Sequence, residues 1–297
     1  MDLMKYKKYE PIYVIGHMNI DLDSAVSSKI LSSIFNSLGI ESYYAILDNN
    51  YEFNEYNKKM LDDCMDFKPK IINLKDVNKY NWFLVDHNDK SQSVGNNCNV
   101  IGCIDHHPDS HQVENITISD DCSLALFLYD EFKSIYNFSK EEKYQIFLAF
   151  LSDSTFGKSS RYTKKDEEIV SSLGFNYDYE ELFKKYFIPT DLSNGIESVI
   201  HNGFKKYNFN DVYFESNYIE EYGIDGLEEY KEFIKRQDAF LGRWVDYQNN
   251  KTYVYFKYDN KFNEKIYDFI ASRATTILND VLKYLSERNY LKGDENE

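Results

Sequence analysis

The chain of 297 residues is long enough for one large domain or two medium ones, and its 42% hydrophobic content can supply a core. A formal net charge of −16 opposes non-specific attachment to nucleic acid, which relies on clustered Lys and Arg, so a phosphate-bearing ligand would need local help from cations. No run approaches the roughly 20 apolar residues that cross a bilayer, and MDLMKYKKYE lacks the apolar core of a signal peptide. A cytoplasmic protein with no membrane or nucleic-acid partner is expected.

In the first half, short apolar runs alternate with helical patterns. The runs are IYVIG at 12–16, ESYYAIL at 41–47, KIINL at 70–74, NWFLVD at 81–86 and NVIGCID at 99–105. This alternation predicts an α/β fold with a parallel sheet and helices on its faces. Apolar spacing predicts a helix over 23–38, with Asp21 or Asp23 available to cap it and Gly39 to end it. Further helices are expected over 123–136, 140–152 and 164–174. FIPTDLSNG, at 187–195, joins a proline, a turn-forming run and a glycine, and sets a domain boundary there: 1–188 and 189–297. The smaller second part reads as α+β, with strands at 212–216, 243–247 and 252–258, a helix over 226–241, a long helix over 263–288 and a frayed acidic tail, GDENE.

Five of the six histidines precede position 112, and three acidic-histidine clusters each follow a strand-like run. GHMNIDLDS supplies His17, Asp21 and Asp23. DHND supplies Asp86, His87 and Asp89, and DHH supplies Asp105, His106 and His107. Ligands of open parallel sheets bind beyond the carboxyl ends of the strands, so such clusters can converge in space. Asp153, at the end of YQIFLAFLS, can join them. One aspartate after a strand is a helix cap or turn former as readily as a ligand. Three clusters after three successive strands, plus Asp153, point instead to a shared metal centre.

Imidazole with carboxylate and no thiolate suits manganese, cobalt, magnesium or zinc. Cys64, Cys98, Cys103 and Cys122 form no C-x-x-C pair and read as reduced structural thiols. Two divalent cations roughly 3.5–4 Å apart, bridged by a carboxylate, suit phosphoryl transfer to water. His111 and His201 lack such a context and read as surface residues. His87 reads as a supporting residue, because Asp86 already takes the strand end.

These motifs, in this order, resemble the DHH phosphoesterase superfamily, and within it the branch holding the manganese-dependent (family II) inorganic pyrophosphatases, the exopolyphosphatases and the prune proteins. The most specific elements are GHMNIDLDS, LVDHND followed by SQSV, GCIDHH and SDSTFGKSSRYTKKD. The resemblance implies a DHH domain with a parallel sheet, then a smaller DHHA2-type domain that closes over the substrate. It implies two divalent cations, manganese first, with cobalt or magnesium as alternatives. One would be held by His17, Asp21 and Asp86, the other by Asp23, Asp86, His106 and Asp153. His107 would face the substrate, as a hydrogen-bond donor or proton donor to the leaving phosphate, and Asp105 would orient a histidine.

Lys158, Lys205 and Arg273 match substrate-binding positions, although Lys206 fits instead when the count starts from TDLS. SRATT departs from the family's S-R-K-K: Ser272 and Arg273 match, while Ala274 and Thr275 replace lysines. The implied activity is hydrolysis of phosphoanhydride bonds, first in inorganic pyrophosphate, with short polyphosphate as the alternative substrate. His17 and the Asp-His-Asn run favour pyrophosphate, and SRATT opposes it. A nucleotide phosphodiesterase would carry a G-G-G-H motif, which the chain lacks. A regulatory relative with reduced activity is the non-enzymatic alternative. A homodimer is possible, since relatives include dimers and monomers.

Overall fold

The computed structural model describes residues 1–48, 55–176, 178–201, 204–209 and 212–291, apart from the side chains of residues 55, 56, 274 and 275. The GDENE tail and the residues at 202–203 lie outside this set. The chain divides into two compact units. Unit 1 comprises Met1–Gly157 and Arg161–Phe187, and unit 2 comprises Lys158–Ser160 and Ile188–Glu297.

Unit 1 is built on six parallel strands: β1 (Ile12–Ile15), β2 (Ser42–Leu47), β3 (Lys70–Ile72), β4 (Asn81–Val85), β5 (Asn99–Asp105) and β6 (Ile116–Ile118). Their order is β3-β2-β1-β4-β5-β6. The sequence therefore runs outward in one direction from β1 and in the other from β4. Between the carboxyl ends of those two strands lies the switch point at which such sheets open a crevice.

The helices of unit 1 are α1 (Leu22–Ser37), α2 (Glu55–Cys64), α3 (Leu124–Phe132), α4 (Lys140–Asp153), α5 (Lys164–Ser172) and α6 (Tyr179–Tyr186). Asp21 caps α1 by accepting from the Ser24 amide, and Gly39, at φ 73°, allows the chain to leave it. Phe35 of α1 packs edge-on against Phe83 of β4, both fully buried, so truncating either to alanine costs about 3–5 kcal/mol. On the opposite face Tyr13, Trp82 and Leu84 are covered by Val77, from a 3-10 helix (Leu74–Lys79), and by Val94, Cys98 and Val113. Strand β6 and helix α6 are too short for periodicity to announce them.

In unit 2 the sheet is mixed: β7 (Lys205–Phe209), β8 (Val212–Glu221), β9 (Phe240–Asp246), β10 (Lys251–Tyr258) and β11 (Lys261–Tyr267), in the order β11-β10-β9-β8-β7. Only the β8/β9 pair is parallel, and it is joined through α7 (Leu227–Arg236). One face packs Ile219, Phe240 and Trp244 against Tyr230 and Phe233 of α7. The other packs Leu241, Val254 and Phe256 against Ile277 and against Val281 and Leu285 of α8 (Leu278–Glu287).

The expected helix over 263–288 is corrected here. Its first part is β11, a π-helical turn follows at Arg273–Ile277, and only α8 is an α-helix. Asp259 and Asn260, at φ 48° and 57°, form the two-residue turn that folds β11 back onto β10. A positive φ at both central positions is the geometry that antiparallel hairpins prefer, and Asp and Asn tolerate it. The expected helix over 226–241 likewise stops at Arg236, because 240–246 buries its side chains as a strand.

Candidate metal centre

The strand ends of unit 1 deliver the acidic-histidine clusters to one place. His17 follows β1 through Gly16, where a Cβ atom would lie 1.8 Å from Ser24 Oγ, so only glycine lets β1 pass this close to α1. Asp86 follows β4 and is 1% exposed. Its φ of 62° lies in the left-handed region, which costs a non-glycine residue about 1–2 kcal/mol and is tolerated where the surrounding structure enforces it.

Around Asp86 the distances are short. His106 Nε2 lies 3.0 Å from Asp86 Oδ1, and His17 Nε2 lies 3.3 Å from Asp86 Oδ2. His17 Nε2 is also 3.4 Å from Asp21 Oδ2, while His106 Nε2 is 3.6 Å from Asp153 Oδ2 and 4.0 Å from Asp23 Oδ2. Three groups of donor atoms result, each within 4.8 Å: His17, Asp21 and Asp86; Asp23, His106 and Asp153; and Asp86, Asp105, His106 and His107.

The electrostatics favour a cation. Both Asp86 oxygens are buried; burial pushes its carboxyl up, but the His106 and His17 imidazoles beside it outweigh that and hold it well below the usual carboxylate range. Burial pushes Asp153 well above the usual carboxylate range, and the charges of Asp23, Asp21 and Asp86 push it further. Its place at the carboxyl end of α4 also sets it against the helix dipole. Burial and the Asp86 charge raise Asp23 to about 6. Burial lowers the His17 imidazole, but Asp21 and Asp86 outweigh it and carry the pKa up to about 10. His106 is likewise raised, burial being outweighed by Asp86. Protons on the two imidazoles thus occupy the space where carboxylates and ring nitrogens converge. A divalent cation could replace them, and the oxygen and nitrogen donor set fits one.

The supporting residues are equally specific. Asp23 accepts from Ser123 Oγ at 2.7 Å and from the amides of Leu124 and Ala125 at 2.6 and 2.9 Å, so the start of α3 orients it. Of the two candidate caps, Asp21 therefore caps its own helix and Asp23 a distant one. Asp105 accepts from the amides of His106 and His107 and from Asn88 Nδ2. It also lies 2.9 Å from His107 Nδ1. Burial alone would raise Asp105, and the His107 hydrogen bond more than offsets that. His87 is held at both ring nitrogens, by the Val85 carbonyl and Ser93 Oγ, and burial lowers it to about 4, which keeps it neutral. His111 and His201 are exposed.

Arg161 has no counterpart among the expectations. Its Nη2 lies 3.0 Å from His106 Nδ1 and 3.2 Å from the His106 carbonyl. The Asp121 carbonyl stands 3.2 Å from the same Nδ1. A guanidinium only donates, so it requires a bare Nδ1, whereas ligation through Nε2 wants an Nδ1–H donated to Asp121. The run SSRYT carries no periodic pattern that would have signalled this contact. Lys158, Lys205 and Arg273 belong to unit 2, outside the cluster. The side chains of Ala274 and Thr275 fall outside the described part of the structure.

A family comparison matches residues 11–145 to the DHH family, N-terminal domain. The chain is also similar to manganese-dependent inorganic pyrophosphatases. It is 26% identical over 249 residues to a Clostridium acetobutylicum protein named "Probable manganese-dependent inorganic pyrophosphatase", covering 80% of this chain and 78% of that one. It is 27% identical over 223 residues to the manganese-dependent inorganic pyrophosphatase of Methanothrix thermoacetophila, covering 68% and 67%. In fold it matches a Methanococcus jannaschii protein described as a "putative family II inorganic pyrophosphatase", with a TM-score of 0.74 at 19% identity over 92% of this chain and 98% of that one. The α/β architecture read from the sequence is the architecture observed. Among the described residues no helix is long and apolar enough to cross a membrane.

Proposed function

We propose that the chain is a manganese-dependent hydrolase of phosphoanhydride bonds, acting on inorganic pyrophosphate. The observation that carries the reading is Asp86, a buried carboxylate shared by two histidine-aspartate groups at the switch point of the sheet. His17, Asp21 and Asp86 would hold one cation, and Asp23, Asp86, His106 and Asp153 the other. When bound, such a pair supplies positive charge that eases loss of a proton from water and offsets charge on the phosphate oxygens.

The residues themselves do the rest. Asp105 accepts from His107 Nδ1–H, which fixes the tautomer and leaves Nε2 to meet the substrate. The His107 side chain is 37% exposed, so that nitrogen can be reached, and Asp105 steadies the imidazolium. His107 would then donate from Nε2 to the oxygen of the departing phosphate. Asn88 and the two amides keep Asp105 ionised and in place.

Lys158, Lys205 and Arg273 would bind the substrate's phosphates, residues 189–297 acting as the substrate-binding domain. A cytoplasmic homodimer belongs to the same reading, testable by cell fractionation and sedimentation.

The test is phosphate release with manganese, cobalt or magnesium from pyrophosphate, tripolyphosphate, long polyphosphate and a dinucleotide. Pyrophosphate turnover with manganese is expected. Preference for tripolyphosphate would move the substrate to the polyphosphates, and no turnover of any of the four would sink the enzymatic reading.

A further inference from the structure

The strand register of unit 2 gathers cations on one face of its sheet. Tyr218 of β8 pairs with Arg243 of β9 in parallel register, and Ser216, two residues before Tyr218, pairs with Lys205 of β7. Residues in register share a face, as do residues two apart on a strand. Lys205, Ser216, Tyr218 and Arg243 therefore lie on the face packed by α8, and Arg273 sits in the turn that leads into α8. Lys206 lies on the opposite face, 3.4 Å from Glu215.

Two guanidiniums lean on one aromatic ring: Arg273 Cζ is 5.3 Å and Arg243 Cζ 5.9 Å from the Tyr218 centroid. Arg243 is 11% exposed, and its Nε has no hydrogen-bond partner. Glu220 Oε1, at 3.8 Å from Arg243 Nη1, is too distant for a hydrogen bond and already accepts from Tyr247. Ser216 Oγ, fully buried, also lacks a partner. Burial lowers the pKa of Arg273, and the Arg243 charge adds to the effect. Like charges and unmet donors on one half-buried face are stabilised by an anion, and a fork of N–H donors matches a phosphate.

We propose that Arg243 grips a phosphate group together with Arg273 and Lys205, and supplies charge that Ala274 and Thr275 do not. The link to pyrophosphate rests on the function proposed above, whereas the anion site itself does not.

The test uses the full chain loaded with manganese, with inorganic phosphate as the probe. Arg243→Gln should weaken phosphate binding about tenfold or more, the loss expected for a charge-assisted hydrogen bond, and should raise KM for pyrophosphate more than it lowers kcat. Lys231→Gln, on α7 and paired with Glu264, should leave both unchanged. A second measurement needs no variant: phosphate should slow phenylglyoxal modification of Arg243, mapped by mass spectrometry. A folded Arg243→Gln protein with unaltered phosphate affinity, or equal modification of Arg243 with and without phosphate, overturns the proposal. An Arg243 that only props up the sheet would lower the melting temperature and leave both phosphate readouts where they were. If the chain hydrolyses no phosphoanhydride, the proposed function falls while the protection experiment still decides the role of Arg243.

Discussion

The two units solve opposite charge problems. In unit 1, Asp21, Asp23, Asp86 and Asp153 converge around two imidazoles, and the cluster is balanced only by protons or by cations. In unit 2, Arg243, Arg273 and Lys205 share one sheet face, with Glu220 too distant for a hydrogen bond to Arg243. Each unit is stable with its charges gathered because burial and register enforce the gathering. On the functions proposed above, a chain with a net charge of −16 would still serve a phosphate ligand, through cations held in the acidic unit and guanidiniums set into the other.

The comparison breaks first at Asp86. Asp86→Ala should lower pyrophosphate turnover by on the order of 10³-fold or more, measured as phosphate release, because it removes the group common to both cation sites. Next comes His107→Gln, for which kcat should fall about 10²–10⁴-fold while manganese content stays that of the unaltered protein. Loss of manganese in that variant would move His107 from the substrate to the metal.

A smaller effect tests the protons. With His17 at about 10 and Asp23 at about 6 in the metal-free chain, manganese binding near pH 7 must expel a proton from His17 and, increasingly below pH 6, one from Asp23. Both pKa values are raised, so both groups become more fully protonated as pH falls and manganese affinity must fall with it. Titration calorimetry in buffers of different ionisation enthalpy should show at least one proton released per chain at pH 7, from His17, with His106 and Asp153, both raised, adding to it, and a pH-independent affinity would contradict the assignment. The smallest effect is expected for Ser123→Ala, which removes one of the three donors to Asp23 and the cap of α3. Thermal melting should register a loss of about 1 kcal/mol, with manganese affinity reduced only a few-fold.

Much of unit 1 was legible because its information is local and repeated. Each β-strand that feeds the cluster is a short apolar run, and each run ends in the residues that matter, His17 after β1, Asp86 after β4 and the Asp105–His107 triplet at β5. What could not be read lies in contacts between distant segments. Asp23 meets Ser123, and Arg161 meets His106, only once the sheet and helices have assembled. In unit 2 the YDNK hairpin is legible in principle from its Asp-Asn pair, yet the apolar spacing beyond it mimics a continuous helix. The cationic face depends on strand register, which follows from pairing rather than from any one stretch.

The shared carboxylate at Asp86 is tested most directly by counting and coupling manganese. The metal-free chain is titrated with manganese, bound ions are counted by elemental analysis, and the electron paramagnetic resonance spectrum is recorded at saturation. The account predicts two ions per chain with an exchange-coupled spectrum, and loss of that coupling in Asp86→Ala. A single isolated manganese signal at saturation, or a coupled pair that survives Asp86→Ala, would contradict it.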